Sequence, residues 1–506
     1  MDCLIGLDVG TTAVKAGVFR ADGTLAGLAS AEYTLLTPGP DLVELEAETY
    51  WDACVRAVSE AVRRSGVMAA AVRGLAISSQ GETLIPVAAD GRALRSAIVW
   101  LDNRSGDQSR RLGAVFDRSE LYRVTGQTEM VPTWPATKIL WLRENEPEVF
   151  SAADRFLLLE DWLLHRLTGE FVEEHSLASS TTYFDILRLE WWEPMLDAIG
   201  IAANRLPTLA TSGTPVGKLT PASAEALGLH RDVVVSTGAL DQFAGAVGAG
   251  NVSPGDATET TGAALAICAT VSKPTYDPLY RMPCHCHAVP RLYALLPWCQ
   301  TAGMALRWFR DVFGAEEMSR ANREARDPYD LLTELAEPIP PGSDGLVMLP
   351  HLAGASCPEM VPEARGVYFG FTLGHSKGHF VRATMESVAF MLRRNLENLA
   401  EIGIEVGEIR SLGGASRSDL WNQIKADTIG RPVVALADLE AACAGAALLA
   451  GVGAGLYADP VSAARSLKRQ PRTYTPALAA SAAMNASYEK YKRLFEALRP
   501  CFDRQE

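Results

Sequence analysis

Val233-Val-Val-Ser236-Thr-Gly-Ala-Leu-Asp241-Gln-Phe-Ala-Gly-Ala-Val-Gly-Ala-Gly250 joins a β-branched run to an Ala/Gly-rich segment. The first half reads as a buried strand and the second as a helix, which puts Asp241 at a strand-to-helix turn. A carboxylate there caps the helix and stays ionised against the positive end of its dipole. Asp241 also lies near the middle of a 506-residue chain. A lone acid between two halves is where a two-lobed enzyme carries a catalytic base; an ordinary N-cap fits the same spacing.

Toward the N-terminus, Leu4-Ile-Gly-Leu-Asp8 and Ala13-Val-Lys15-Ala-Gly-Val-Phe19 read as strands around a tight turn at Gly10-Thr11-Thr12. The turn offers backbone N–H groups, two hydroxyls and Lys15 to a terminal phosphate, and Asp8 reaches a metal ion from the strand end. Plain hairpin turns use the same residues. A helix is expected over 46–65, then a strand over 72–77 leading into Gln80-Gly81-Glu82-Thr83. Loops after strands of α/β sheets bind ligands, and the Gln80 and Glu82 side chains suit sugar hydroxyls. A strand over 96–100 adds Trp100, Asp102 and Arg104 to the same layer, unless the Asp/Arg pair is a solvated surface turn. Segments 134–145 and 154–169 read as helices, and tryptophans 134, 141, 162, 191 and 192 read as core.

Toward the C-terminus, Thr260-Thr261-Gly262 beside an apolar run repeats the opening theme, so the second half reads as a divergent copy of the first. Thr301-Ala-Gly303 opens a helix with small residues that allow close approach. Ile409-Arg-Ser-Leu412 runs into Gly413-Gly414-Ala415-Ser416-Arg417-Ser418, a glycine-rich turn able to cradle a phosphate or lie flat against an adenosine. Cys284-His285-Cys286-His287 reads as a strand that puts the cysteines on one face and the histidines on the other, a poor chelate. The uncharged run 441–458 is mostly Ala and Gly, so it reads as a tightly packed interior helix and not a membrane span.

The length calls for at least two domains, and 48% hydrophobic with 21% charged residues is ample for soluble cores. A net charge of −14 argues against non-specific nucleic-acid binding. Nine scattered cysteines and an N-terminus without a basic or apolar leader pattern point to the cytoplasm.

Taken together these segments resemble the FGGY family of carbohydrate kinases along essentially the whole chain. Asp8-Val-Gly-Thr-Thr-Ala-Val-Lys15 is similar to the family's first phosphate motif, Thr260-Thr261-Gly262 to its second, and Leu412-Gly-Gly-Ala-Ser416 to its adenosine motif. Pro135-Ala-Thr-Lys138-Ile-Leu-Trp141-Leu-Arg-Glu-Asn145 resembles the first family signature, with Thr133 departing from its usual opening residue. Gly366-Val-Tyr-Phe-Gly370 with His379 and Ala383-Thr-Met-Glu386 resembles the second, with Phe371 in place of an aliphatic residue.

The resemblance implies an α/β fold of two ribonuclease H-like domains, of the actin, hexokinase and heat-shock-chaperone type, flanking a catalytic cleft. It implies a sugar-binding N-terminal domain over 1–248, an ATP-binding domain over 249–490 and a tail over 491–506. Asp241 would be the base, and Gln80, Glu82, Trp100, Asp102 and Gln242 would meet the sugar. ATP would lie on Gly10, Thr11, Thr12, Lys15, Thr260, Thr261, Gly262, Gly303, Gly413, Gly414, Ala415 and Ser418, with Mg2+ on Asp8 and Asp241. Gln80-x-Glu82-Thr83 with Trp100 and Gln242 is similar to the glycerol kinases, but Gly81 stands where those carry an arginine. Leu420-Trp-Asn-Gln-Ile-Lys425-Ala-Asp427 and Leu167-Thr-Gly-Glu170 look closer to the xylulose and fuculose kinases. The expectation is therefore a ketose kinase with xylulose as the leading substrate, with a glycerol or other polyol kinase as the alternative. A non-catalytic sugar or nucleotide sensor on the same fold is the alternative of another class. A homodimer is a family-level expectation, with no nucleic-acid or membrane partner.

Overall fold

The computed structural model describes residues 2–437 and 439–502. The N-terminal alternation builds an antiparallel meander of β1 (Cys3–Val9), β2 (Ala13–Arg20) and β3 (Leu25–Glu32). β4 (Val72–Ser79) and β5 (Val234–Leu240) extend it in parallel beyond β1, giving the order β3-β2-β1-β4-β5, with Pro215–Lys218 at the far edge. Helix α1 (Ala47–Ser65) buries Tyr50, Ala53, Cys54, Ala57, Val58 and Ala61, a stripe of helical period that closes a core with Ile5, Leu7 and Val18.

Helix α2 (Leu159–Thr168) follows a strand, Arg155–Leu158, where one helix over 154–169 was expected. The apolar run Phe156-Leu-Leu-Leu159 is short enough to pair with Leu84–Val87 in a separate five-stranded sheet before the helix begins. The expected strand at 96–100 shrinks to Ala97–Ile98 in that sheet. Helix α3 (Asp241–Ala249) follows β5 directly, and α4 (Ala441–Gly453) packs on it and on β1. Small residues make this approach possible: a Cβ at Gly6 would lie 1.8 Å from the Cys443 carbonyl oxygen. These elements make one compact unit of residues 1–254, 270–294 and 440–468.

The second unit, residues 255–269, 295–439 and 469–506, repeats the plan. β6 (Ala257–Thr261), β7 (Leu265–Val271) and β8 (Trp298–Cys299) form its antiparallel part, and β9 (Ile409–Leu412) and β10 (Val433–Ala435) continue in parallel from β6. The order β8-β7-β6-β9-β10, closed by β11 (Arg472–Tyr474), matches that of the first unit. The ribonuclease H-like plan expected for both halves is thus present in each, and so is the internal duplication.

The units are not continuous in sequence. One boundary near 248 was expected; instead residues 270–294 and 440–468 return to the first unit. Residues 491–502, read as a tail, continue the helix Leu478–Phe502. Among the described residues no helix is long and apolar enough to cross a membrane.

Candidate active site

In the first unit the expected residues gather at the ends of β1, β4 and β5. Asp8 pairs across the sheet with Lys15 on β2 and Ser78 on β4, and Ser78 Oγ donates to Asp8 Oδ1 at 3.4 Å. Burial raises the Asp8 carboxyl to about 6, against the opposing pull of Lys15. The turn at Gly10 is closed by its own Gly10 N–H to Ala13 carbonyl bond of 3.0 Å and held from outside by the Tyr33 hydroxyl, which donates to the Gly10 carbonyl. Thr12 is left exposed. Lys15 does not stand free: its Nζ meets Glu440 Oε2 at 2.8 Å, at the start of α4.

Asp241 is the first residue of α3, one position inside the cap expected for it, and makes no side-chain cap bond from the N-cap position, which Leu240 occupies. The neighbouring Gln242 backbone and side-chain amides pull its carboxyl down. Burial and the neighbouring charge of Asp8 raise it to about 7, with Glu82 adding to the rise. Three carboxylates therefore share one field at the strand ends.

Glu82 has a left-handed backbone, φ 57°, uncommon for a residue with a Cβ. The fully buried Lys138, from the helix Pro135–Asn145, donates at 3.0 Å to the carbonyls of Glu82 and Val99 and so holds the loop in that shape. Burial pushes the Glu82 carboxyl up and the Lys138 ammonium down. Gln80 donates to the Tyr50 hydroxyl at 3.2 Å, while its Oε1 is buried without a partner. Trp100 spans the layer, its Nε1 donating to Thr11 Oγ1 at 3.0 Å and its N–H to Thr83 Oγ1 at 3.3 Å.

Asp102 differs from its expected role. It is fully buried, and both carboxylate oxygens are engaged by Arg104 and by the Val43 N–H, so no face remains for a sugar. Nor is the pair a solvated turn, since Arg104 is only 4% exposed and also meets Glu44. Asp102 is a clamp two residues after Trp100.

In the second unit the glycine turns converge through backbone contacts. The Gly303 N–H donates to the Gly262 carbonyl at 2.9 Å, and a Cβ on Gly303 would lie 2.3 Å from that oxygen. Gly413, at φ 78°, sits against Thr261, whose carbonyl a Cβ there would meet at 2.9 Å. Gly262 and Gly414 have nothing within 4 Å of a built Cβ, so each presents bare backbone to open space. These turns, with Ala415 and Ser418, line a cavity of about 740 Å³ walled by Met304, Tyr329 and Trp421. Ser418 itself caps the helix Asp419–Ile429, its Oγ accepting from the Trp421 N–H. Thr261 is buried and donates to Glu259 at 2.6 Å, whereas Thr260 is partly exposed. Glu259 in turn pairs with Lys425 at 2.5 Å, both side chains fully buried.

Asp8 and Asp241 are hard oxygen donors, and the charge of Asp8 raises the Asp241 carboxyl, the kind of arrangement a cation relieves. They fit Mg2+, which binds through one or two carboxylates and keeps waters. No cluster of three or more His, Cys, Asp or Glu suited to a metal ion occurs among the described residues. Cys284–Cys286 is a strand with His285 and His287 also buried, and burial pulls the two imidazoles down to about 4 and about 3. Sequence reasoning missed Glu440, Glu259 and the role of Lys138. Only Lys138 carried a signal, a charge among the apolar residues of its helix's first two turns, though not one that names its partners.

The FGGY family of carbohydrate kinases matches with its N-terminal domain over residues 3–248 and its C-terminal domain over 267–454. A gluconokinase of Bacillus subtilis is 30% identical over 90% of this chain and 87% of its own. A xylulose kinase of the same organism is 30% identical over 98% and 96%. The crystal structure of a xylulose kinase from Rhodospirillum rubrum superposes with a TM-score of 0.87 at 29% identity, covering 99% of this chain and 100% of that one.

Proposed function

The chain belongs to the FGGY family of carbohydrate kinases, phosphotransferases with an alcohol group as acceptor, and from that premise we propose that it phosphorylates a ketose or related open-chain sugar with ATP, xylulose being the leading candidate. The observation that supports this choice over glycerol is the packing behind Gly81. A Cβ there would lie 2.8 Å from Leu240 Cδ1 and 3.1 Å from Ser180 Oγ. The arginine that the resemblance to glycerol kinases calls for would therefore require the Leu240 and Ser180 side chains to shift. Without the arginine, Gln80, whose Oε1 has no hydrogen-bond partner among the described residues, is the acceptor left for a longer polyhydroxylated chain. The match to a gluconokinase keeps sugar acids in view.

On this reading the first unit carries Gln80, Glu82, Trp100 and Gln242 for the sugar, and the glycine turns of the second carry the nucleotide. The sugar oxygen forms a bond to the γ-phosphorus as the bond from that phosphorus to the β–γ bridging oxygen breaks. The hydroxyl proton passes to Asp241, and ADP leaves. Asp241 suits the role because burial and Asp8 raise its proton affinity toward neutrality. Asp8 and Asp241 would hold a magnesium ion, which would supply charge neutralisation at the phosphates. Because the transition state is loose, alignment and electrostatics carry most of the acceleration. Lys15, steered by Glu440, adds a cation beside the Gly10–Thr12 turn.

The test is ADP release with ATP–Mg across xylulose, ribulose, fuculose, rhamnulose, gluconate, xylitol, erythritol and glycerol, in wild type and Asp241→Ala. Turnover is expected on one ketose or sugar acid, falling about 10²- to 10⁴-fold in the variant. Preferred turnover of glycerol overturns the argument from Gly81; equal rates in both proteins remove Asp241 from the base role.

A further inference from the structure

Four carboxylates, Glu160 and Asp161 on α2 and Glu173 and Glu174 on the strand Val172–Glu174, are buried to 1% exposure or less behind β5. None of them forms an ion pair with a lysine, arginine or histidine among the described residues. Several of their oxygens have no hydrogen-bond partner among the described residues, but two of the acids, Glu160 and Glu174, hold the strand that leads to Asp241.

β5 is irregular at that point. Ser236 stands opposite Ala76 of β4 and Ala239 opposite Ser78, so Thr237 and Gly238 share the space facing Ile77. This is a bulge with one extra residue, and it re-aims whatever follows it. The approach is tight: a Cβ at Gly238 would lie 1.7 Å from the Ile77 carbonyl oxygen. The bulge takes the Gly238 N–H off the ladder, and Glu160 Oε1 accepts it at 2.7 Å. Two residues on, the Leu240 N–H donates to Ser176 Oγ at 3.0 Å, and Ser176 in turn donates to Glu174. Glu174 is fixed by three more donors, the N–H groups of Ser176 and Leu177 and the Ser212 hydroxyl. Thr237 Oγ1, between them, donates to the Thr211 carbonyl at 2.7 Å.

We propose that Glu160 is a positioning residue for phosphoryl transfer: by accepting the N–H freed at the Gly238 bulge it fixes the end of β5 and thereby the placement of Asp241. This rests on Asp241 acting as the base. What Glu160 supplies is an acceptor of fixed length and direction. Burial and the neighbouring Glu174 drive its carboxyl well above the ordinary range. Its second oxygen is buried without a partner. A neutral side chain with the same acceptor should therefore replace it.

The experiment compares wild type, Glu160→Gln, Glu160→Met and Asp241→Asn in steady-state kinetics on the sugar the panel selects, with thermal melting of each. Glu160→Gln keeps the acceptor and is expected within about threefold of wild-type kcat. Glu160→Met keeps the volume but orphans the Gly238 N–H, and kcat is expected to fall about 10- to 100-fold, the scale of an ångström's misplacement. KM for ATP should stay within about twofold, because the glycine turns of the second unit are not touched. A merely structural role predicts a lower melting temperature with unchanged kcat per folded molecule, and that result overturns the proposal. So does an equal loss in the Gln and Met variants, which would make charge rather than acceptor geometry the cause. If Glu160→Met fails to fold, Ser176→Ala removes the side-chain acceptor of the Leu240 N–H and should show the same split between kcat and KM; wild-type kcat in that variant overturns the proposal. Wild-type activity in Asp241→Asn instead overturns the base assignment and is distinguishable from every outcome above.

Discussion

Trp100 is followed in the chain by a buried ion pair. Asp102, two residues on, accepts from the Val43 N–H and from Arg104, whose guanidinium also reaches Glu44 and stacks 4.9 Å from the centre of the Trp141 ring. Removing one partner of an unshared buried ion pair costs about 3 kcal/mol or more, and Glu44, which still faces Arg104, reduces that loss. Asp102→Asn is therefore expected to lower stability to denaturant by about 1–3 kcal/mol while leaving the sugar KM of the folded enzyme unchanged. Chemical denaturation and steady-state kinetics on the same preparation check both halves, and a raised KM at wild-type stability would return Asp102 to the sugar site. The sequence could not separate these roles, because Asp-x-Arg after a strand spells a clamp and a ligand alike. Lys138 was hidden for a related reason. Its partners, the carbonyls of Glu82 and Val99, lie 56 and 39 residues away and leave no mark in local spacing. The places of Asp8 and Asp241 were legible because strand ends and helix starts have sequence signatures; their proposed roles were not, since an ordinary N-cap fits the spacing of Asp241 equally well.

At the scale of elements, α4 shows what composition discloses and what it withholds. Its run of Ala and Gly marks a tightly packed interior helix, and the structure buries Ala441 and the stretch from Cys443 to Gly451. Composition does not say against what. A Cβ at Gly445 would lie 1.8 Å from the Ala244 carbonyl oxygen on α3, the helix that begins at Asp241. Intrinsic propensity favours alanine over glycine within a helix by about 1 kcal/mol, whereas forcing a methyl group into backbone costs about 1–3 kcal/mol. The obstacle is a carbonyl held in a helix, so the steric cost should win. Gly445→Ala is expected to destabilise by about 1–2 kcal/mol net and to lower kcat by shifting α3. Melting temperature and kcat measured together check this; a more stable, fully active variant would mean the two helices separate freely. The same contact explains why the first unit takes back a later segment. Residues 440–468 lie in sequence between β10 and β11 of the second sheet, but the faces their small residues match are on α3 and β1.

For the molecule as a whole, the buried acids set how stability answers to pH. Burial raises Glu160, Asp161 and Glu173, and lifts Glu174 to about 7. In an unfolded chain the same side chains titrate near 4. Between that value and their folded values the native protein binds more protons than the unfolded chain, so stability falls as pH rises. Their contribution is fully present below about pH 4 and is lost through neutrality and above. Acids that gain partners on folding act in the opposite sense in a separate window: Glu60, beside Arg63 and Arg64, is held down to about 2 and titrates only at strongly acid pH. A net charge of −14 adds self-repulsion as the last acids ionise. The wild-type melting temperature is accordingly expected to decline from pH 5 to pH 8. Glu173 offers the cleanest probe, since both its oxygens are buried without a conventional hydrogen-bond donor. Glu173→Gln removes the ionisation and keeps the volume, so the two proteins should melt together at pH 5 and diverge at pH 8, with the variant the more stable. About 1 kcal/mol moves the Tm of a large domain by roughly 2–4 °C, so the gap should be readable by scanning fluorimetry. Parallel curves across the range would show that Glu173 does not change protonation on unfolding. A wild-type Tm that rises toward pH 8 would mean that the exposed ion pairs, and not the buried acids, govern the molecule's response.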